Sequence, residues 1–463
     1  MSDETSSTFE TVARLVSGLG ILVLTFLAGA FTTEFQVFPY PQLLERPFEA
    51  LRAYDKKREL TLPNPAKSEQ WNRVKDWESG VVTHQADKTL DGYTFFTSAH
   101  ASAAFLIDQN GEVVHEWGKR FRKAFPEPSH LTDPVPEHKI SWADAHLFPN
   151  GDVLGAYAAD GDTPYGYGLV KLNRDSEVIW SWPGHVHHDF DVQPDGSIWL
   201  LDQSFRDTTE RPIPNAPNWE DRVLEGFAVK LSPQGKELKR IPLVEAYASH
   251  HGKAFPDRFA GHHRWDIIHA NDVEVIGKDF ASHHYFAEPG HLMISSRAFD
   301  SVAILDPATE KIVWSRRGFW KKQHDPDAMP DGEIWVFDNQ GYGGPGGATQ
   351  VAKFDPQTLR ISRSFHGNEN RRFHCTWWGK QTPLANGNVL IADSLNGRIL
   401  EVDDHNEIVW EWHTPSVADF KGKQFVPNIK APVTRIDPST LKFDPDRPSL
   451  DKSMLTVEAD RFD

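Results

Sequence analysis

One apolar–polar pattern recurs six times along the chain: an apolar residue, a short polar turn, then a β-branched run that often closes on tryptophan. The first copy is LIDQNGEVVHEW, from Leu106 to Trp117. KLNRDSEVIWSW from Lys171, KLSPQGKELKRI from Lys230, ILDPATEKIVWS from Ile304, KFDPQTLRISRS from Lys353 and EVDDHNEIVWEW from Glu401 follow it. Alternation over such short runs predicts half-buried β-strands, and the turn residues between them predict hairpins. A unit repeated in this way buries its apolar face only against its neighbours. Six hairpins, each the outer pair of a four-stranded blade, predict an all-β fold, a six-bladed β-propeller over residues 91–413. Closure hides the sheet edges and leaves a central channel.

The flanking segments read differently. Between Arg14 and Glu34 the stretch LVSGLGILVLTFLAGAFTT carries no charge and has about the length of a bilayer-crossing helix. Residues 1–34 are therefore expected to be a tail and a single N-terminal transmembrane helix over Leu15 to Thr33, with the lipid bilayer as its partner. Asp3, Glu4 and Glu10, against Arg14 alone, favour a retained anchor over a cleaved signal peptide. Residues 35–90 read as a linker with a short helical segment, and 414–463 as an extended tail over the outside. Two insertions, from Phe205 and from Val244, carry enough Trp and Phe to fold as ordered caps.

Composition narrows the function. The formal charge of −17 excludes a nucleic-acid partner, which needs a basic surface. Sixteen tryptophans supply an ample core, and the only cysteine, Cys375, reads as a buried inert thiol.

Aligning the Pro-Asp-Gly turns exposes a second repeat. His188-Asp-Phe-Asp-Val-Gln-Pro-Asp-Gly matches His324-Asp-Pro-Asp-Ala-Met-Pro-Asp-Gly position for position, and each histidine begins an innermost strand. In the equivalent HANDVEVI, Asn271 takes the histidine's place and His269 lies two residues earlier, on the same face of a strand. Arg297 ends the following strand. These five residues are expected to face one polar cavity, and Thr376, beside His374 and Cys375 at the start of the last blade, is a further substrate-binding candidate. Asp189 and Asp325 alternate away from that face and read as hydrogen-bonding links between blades. His146, His185, His187, His262, His263 and His374 read as loop or rim residues. A guanidinium repels a dication, so the set is not a metal site; imidazoles, an amide and an Arg fork suit an oxyanion, whether sulfate, phosphate or carboxylate.

HANDVEV, SSRAFDSVAILDPATEKIVW, QHDPDAMPDGEIWVFDN and LANGNVLIADSLNGRILEVD resemble the six-bladed arylsulfotransferases that work without PAPS. The resemblance implies transfer of a sulfuryl group from an aryl sulfate to a phenol, with no cofactor, outside the cytoplasm or in the periplasm. It also implies roles: His324 matches the histidine that is transiently sulfurylated, His269, Asn271 and Arg297 its sulfuryl-binding residues, and His188 a further active-site histidine. The N-terminal β domain and disulfide of better-known members have no counterpart here. Two other readings remain open on the residues alone: a membrane-tethered propeller that binds an anionic ligand or a partner without chemistry, and a sulfate-ester hydrolase using the same site.

Overall fold

The computed structural model describes residues 17–29, 31, 65–216, 218–261, 263–344, 346–368 and 371–445. The chain forms two units, Met1–Leu62 and Pro63–Asp463. In the first, residues 17–29 are helical, and among the described residues no helix is long and apolar enough to cross a membrane. The expected span over Leu15 to Thr33 is thus not matched by a helix of bilayer length; its positions 15, 16, 30, 32 and 33, like the linker up to residue 64, lie outside the described residues.

The second unit is built from antiparallel sheets. Each of the six predicted hairpins is present: Ala103–Ile107 with Val113–Gly118, Gly166–Leu172 with Val178–Trp182, Arg222–Leu231 with Glu237–Pro242, Ser301–Asp306 with Lys311–Arg316, Gln350–Phe354 with Ile361–His366, and Arg398–Val402 with Ile408–His413. Turn chemistry fixes them. The Asp108 carboxylate accepts from the backbone N–H of Asn110 and of Glu112, both at 2.9 Å. Asn173 does the same for Asp175 and Glu177, and Asp403 for His405 and Glu407. A short side chain that hydrogen-bonds its own backbone two residues on closes the turn locally.

Each hairpin forms the outer part of a larger sheet. The innermost strands, from the first sheet to the sixth, are Ile429–Ile436, Ser141–Leu147, Phe190–Val192, Ala270–Val275, His324–Ala328 and Lys380–Pro383. Those of the third, fourth, fifth, sixth, first and second sheets touch in succession, a propeller-like array. Carboxylates tie the inner strands together, as expected for Asp189 and Asp325. Asp189 accepts from Val273 N at 3.0 Å, Asp191 from Val275 N at 2.7 Å, Glu274 from Ala328 N at 2.8 Å and Asp325 from Gln381 N at 2.6 Å. Between the sheets lie apolar layers such as Trp335, Phe337, Val351, Phe373 and Val389, each fully buried side chain contributing about 1.5–3 kcal/mol.

The boundaries need correction at both ends. The segment read as an outer tail from residue 414 supplies the innermost strand of the first sheet, Ile429–Ile436, which pairs with Tyr93–Ser98. Its sequence IKAPVTRI hides the signal because Pro432 lacks an N–H. Here Pro432 falls in the register shift between Lys430 and Val433, where no ladder bond is lost. Gly80–His84, read as linker, becomes a fifth strand on Ile408–His413, while Trp71–Val74 joins Lys423–Pro427 and Ala418–Phe420 in a small separate sheet. The insertion from Val244 folds as the helices Leu243–His251 and Phe255–Arg258, which pack Leu243, Tyr247 and Phe255 against Trp219 and Phe299.

Candidate active site

The starts of the innermost strands are bent, and the bends aim side chains inward. Register shifts fall between Trp142 and Asp144, Ala270 and Asp272, His324 and Asp327, and Lys430 and Val433, the irregularity with which a strand re-aims a residue. His188, His269, Asp325 and Trp378 have left-handed φ values of 60°, 47°, 53° and 61°, and Tyr165 one of 79°. Each costs on the order of 1–3 kcal/mol for a residue with a Cβ, and such strain collects at functional sites.

Ala143, Asn271, His324 and Lys430, from the innermost strands of four sheets, and His188 and Gly379, just before those of two others, border a single cavity of about 20 Å³ together with Asp325, Trp378, Lys380, Ser394 and Ala431. Gly379 has φ +113°, and a Cβ there would collide with the Phe337 ring. The His188 ring centroid lies 6.3 Å from that of His324, 5.3 Å from His269 and 5.1 Å from Tyr165, and Trp378 stacks on His188 at 5.5 Å. Arg297 follows the strand Leu292–Ser296, and its N–H donates to the His269 carbonyl at 3.0 Å. Its guanidinium makes no hydrogen bond or ion pair among the described residues, and its charge acts on both His188 and His324.

Hydrogen bonds fix the tautomer of His324. Asn339 Nδ2 donates to the carbonyls of Cys375 and Trp378 at 2.7 and 2.6 Å, so its Oδ1 must be the atom that faces the imidazole. That oxygen lies 2.7 Å from His324 Nδ1 and can only accept. The proton therefore sits on Nδ1, and Nε2 carries a free lone pair. Burial pushes the His324 pKa down to about 3, Arg297 and His269 adding to the shift, so the ring is neutral at physiological pH. Burial and the surrounding His187, His269, His324 and Arg297 hold His188 well below its ordinary value too. His269 Nδ1 is bonded to Asp266; burial opposes that carboxylate's charge, but His269 brings its pKa below the usual range. Asn271 Nδ2 donates to Gln323 O at 2.8 Å, while its buried Oδ1 has no partner among the described residues.

Next to these side chains lies a charged hub. Lys380 Nζ pairs with Asp189 at 2.8 Å, Asp272 at 3.4 Å and Asp325. Burial opposes its charge, but Asp189, Asp325, Asp272 and Asp144 hold its pKa well above the ordinary value. Burial and Asp189 likewise raise Asp144 and Asp272. The neutral rings of His188 and His324 and a guanidinium that is unpaired among the described residues, with Asp325 matched by Lys380, leave a pocket suited to an anion.

The sequence expectation thus gathers His188, His269, Asn271 and His324 into one place and sets Arg297 within electrostatic reach. The route differs for His188 and His269, which precede the strands Phe190–Val192 and Ala270–Val275 in left-handed turns, so His188 does not begin its strand and alternation along a strand is not what aligns His269 with Asn271. Asp325 reaches the cavity edge, where the expectation had no carboxylate, and Lys380 neutralises it. Thr376 does not border the cavity; its carbonyl accepts from Gln340 Nε2 at 2.9 Å. His374 is exposed and His187 is buried, its Nδ1 2.8 Å from His188 Nδ1, so His187 is no rim residue; His262 lies outside the described residues. Sequence reasoning missed Asn339, although it stands in the quoted FDN motif, and missed Asp266, Tyr165, Trp378, Lys380 and Lys430.

Among solved structures, a protein from Bacteroides caccae whose function is unknown is 12% identical, with a TM-score of 0.44 over 73% of this chain and 99% of that one. The Myceliophteria thermophila Cps50 (Swd1) β-propeller domain is 12% identical, with a TM-score of 0.39 over 79% and 100%. Virginiamycin B lyase from Staphylococcus aureus is 10% identical, with a TM-score of 0.37 over 78% and 98%. No curated protein matches the chain. The family model for arylsulfotransferase (ASST) matches residues 144–415, a stretch that holds every predicted site residue, and the chain belongs to the arylsulfotransferase family.

Proposed function

We propose that the protein is a six-bladed propeller enzyme that moves a sulfuryl group from an aryl sulfate to a phenol through a sulfohistidine at His324, with no PAPS. The observation that carries this reading is the bond between His324 Nδ1 and Asn339 Oδ1, which leaves Nε2 as a neutral nucleophile within electrostatic reach of Arg297. In the first half-reaction the Nε2 lone pair attacks sulfur and the aryl oxygen departs; in the second a phenol oxygen attacks sulfur and the lone pair returns to Nε2. Charge spreads over the sulfuryl oxygens as it does over a phosphoryl group in transfer. Arg297, His269 and the second Nδ2 hydrogen of Asn271 are the donors that hold those oxygens, and preorganised donors of this kind supply much of the rate. A cavity of about 20 Å³ takes the sulfuryl head, so the aryl ring lies outside it. The family's setting supports a location outside the cytoplasm, with residues 15–33 as a retained anchor.

The test is a burst experiment. Incubated with a chromogenic aryl sulfate alone, the protein releases a burst of phenol and gains one sulfuryl group on His324, read by mass spectrometry; a second phenol restores turnover. An adduct on another residue, or full activity in His324→Ala, refutes the assignment. Steady turnover without a phenol acceptor makes the protein a hydrolase.

A further inference from the structure

We propose that Lys430 is a further catalytic residue of the sulfuryl transfer, the group that gives a proton to the departing phenol oxygen and takes one from the incoming phenol. The proposal rests on the sulfohistidine reading. Its ground is position: Lys430 comes from the innermost strand of the first sheet, and like His324 it is the last paired residue before that strand's register shift. Both border the same cavity of about 20 Å³, a space of the order of one or two water molecules, so an occupant of it lies within reach of both. Lys430 is only 2% exposed, its Nζ donates to Ser141 Oγ at 3.2 Å and sits 4.6 Å over the Trp378 ring. It has no ion-pair partner among the described residues, unlike Lys380, which borders the same cavity. An ammonium has three donors, so the oxygen of a substrate can take another.

The other candidates are committed elsewhere. His188 is held neutral by burial and by the cations and imidazoles around it, so it has no spare proton at neutral pH, and His269, oriented by Asp266 through Nδ1, is the donor assigned above to the sulfuryl oxygens. Burial brings the Lys430 pKa down to about 7, where an amine holds or lacks its proton with equal ease, the condition that favours a general acid and base. In the first half-reaction the S–O bond breaks, its electron pair goes to the aryl oxygen, and that oxygen takes a proton from the Lys430 ammonium, leaving phenol and a neutral amine. In the second, the amine takes the proton of the acceptor phenol as its oxygen bonds to sulfur and the S–N bond breaks. The ammonium is restored and no proton is gained or lost over the cycle.

The test compares leaving groups in the wild type and in Lys430→Met, which nearly keeps the volume of the side chain. A 4-nitrophenolate departs readily without a proton and an unsubstituted phenolate does not. The burst rate of Lys430→Met is therefore expected to fall about 10²-fold or more with phenyl sulfate, the contribution of a general acid, and by less than about tenfold with 4-nitrophenyl sulfate. Equal losses on both substrates overturn the proposal, because a residue that only holds the sulfuryl group or the fold weakens both alike. Lys430→Gln serves if the methionine variant does not fold. If neither folds, the wild type alone decides: a shallow dependence of burst rate on the acidity of the phenol supports proton delivery, and a steep one overturns it. The adduct on His324 is read in the same runs. Its absence from the wild type overturns the parent reading, whereas its presence with equal losses overturns Lys430 alone.

Discussion

Replacing Lys380 by methionine removes the cation that holds the hub while keeping the volume of the side chain. At an effective dielectric of about 20, a pair 3.4 Å apart attracts by about 5 kcal/mol, and Lys380 meets Asp189 and Asp272 at 2.8 and 3.4 Å, with Asp325 as a third partner. Much of that attraction offsets desolvation. Lys380 keeps 21% of its side-chain surface but borders only the small cavity, and the carboxylates are the more deeply buried partners. Breaking a buried pair from one side costs about 3–5 kcal/mol, and this is the loss expected in urea unfolding at neutral pH. The sign of its pH dependence follows from linkage. Asp144 and Asp272 already have raised pKa values, so their contribution to stability is full below the ordinary carboxylate pKa and is lost as pH rises through the native values. Without Lys380 those values climb further, each unit worth about 1.4 kcal/mol, and the carboxylates accept protons at mildly acid pH. Unfolding midpoints of both proteins at about pH 5.5 and about pH 8 decide it: the gap between them widens with pH. A cost under about 1 kcal/mol at both pH values, or a gap that narrows with pH, refutes the reasoning.

Arg297→Lys keeps the fold and loses about 2–4 kcal/mol of transition-state stabilisation through the missing second N–H contact, read as a burst rate reduced at an unchanged melting temperature. Asn339→Ala removes the acceptor that orders the His324 ring, and slowing of adduct formation by about 10²-fold or more, with the final adduct yield preserved, is expected from stopped-flow traces. His187 and His324 have pKa values of about 3 in the folded chain against 6.5 unfolded. Depressed histidine values favour the fold above 6.5 and lose that contribution as pH falls toward 3, so His187→Phe should flatten the acid limb of a stability–pH curve. Amino-terminal sequencing of the mature protein checks the anchor: a chain beginning near Phe31 removes it.

What was legible in the sequence was local. The hairpins declare themselves because an Asp or Asn that bonds its own backbone, as Asp108 and Asn173 do, sits between alternating apolar runs. His188 and His324 declare themselves by repetition, and Asp189 and Asp325 by standing one residue farther along. Hidden features depend on partners far away in the chain. Nothing in IKAPVTRI says that Tyr93–Ser98 is its mate, and Pro432 argues against a strand until a register shift accommodates it. Lys380 is one lysine among many until four carboxylates from other sheets surround it. Asn339 was in plain view, yet its role depends on two carbonyls that it reaches only in the folded chain. Thr376 lay close in sequence to the site and turned out to offer its carbonyl to Gln340.

The pairing of Ile429–Ile436 with Tyr93–Ser98 also has a consequence for biosynthesis. Thr97 Oγ1 donates to Ala431 O across 334 residues of chain. A ribosome adding roughly 5–20 residues each second leaves that edge of Tyr93–Ser98 without its mate for roughly 15–70 s, an open template for any passing strand. Pairing across so long a loop is also slow to form. During that interval the nascent chain needs a holdase or a covering segment, and the site has no Lys430, so aryl sulfates meet an incomplete pocket until the last sheet strand is in place. Truncation just before Ile429 should therefore yield an aggregating protein rather than a weak enzyme.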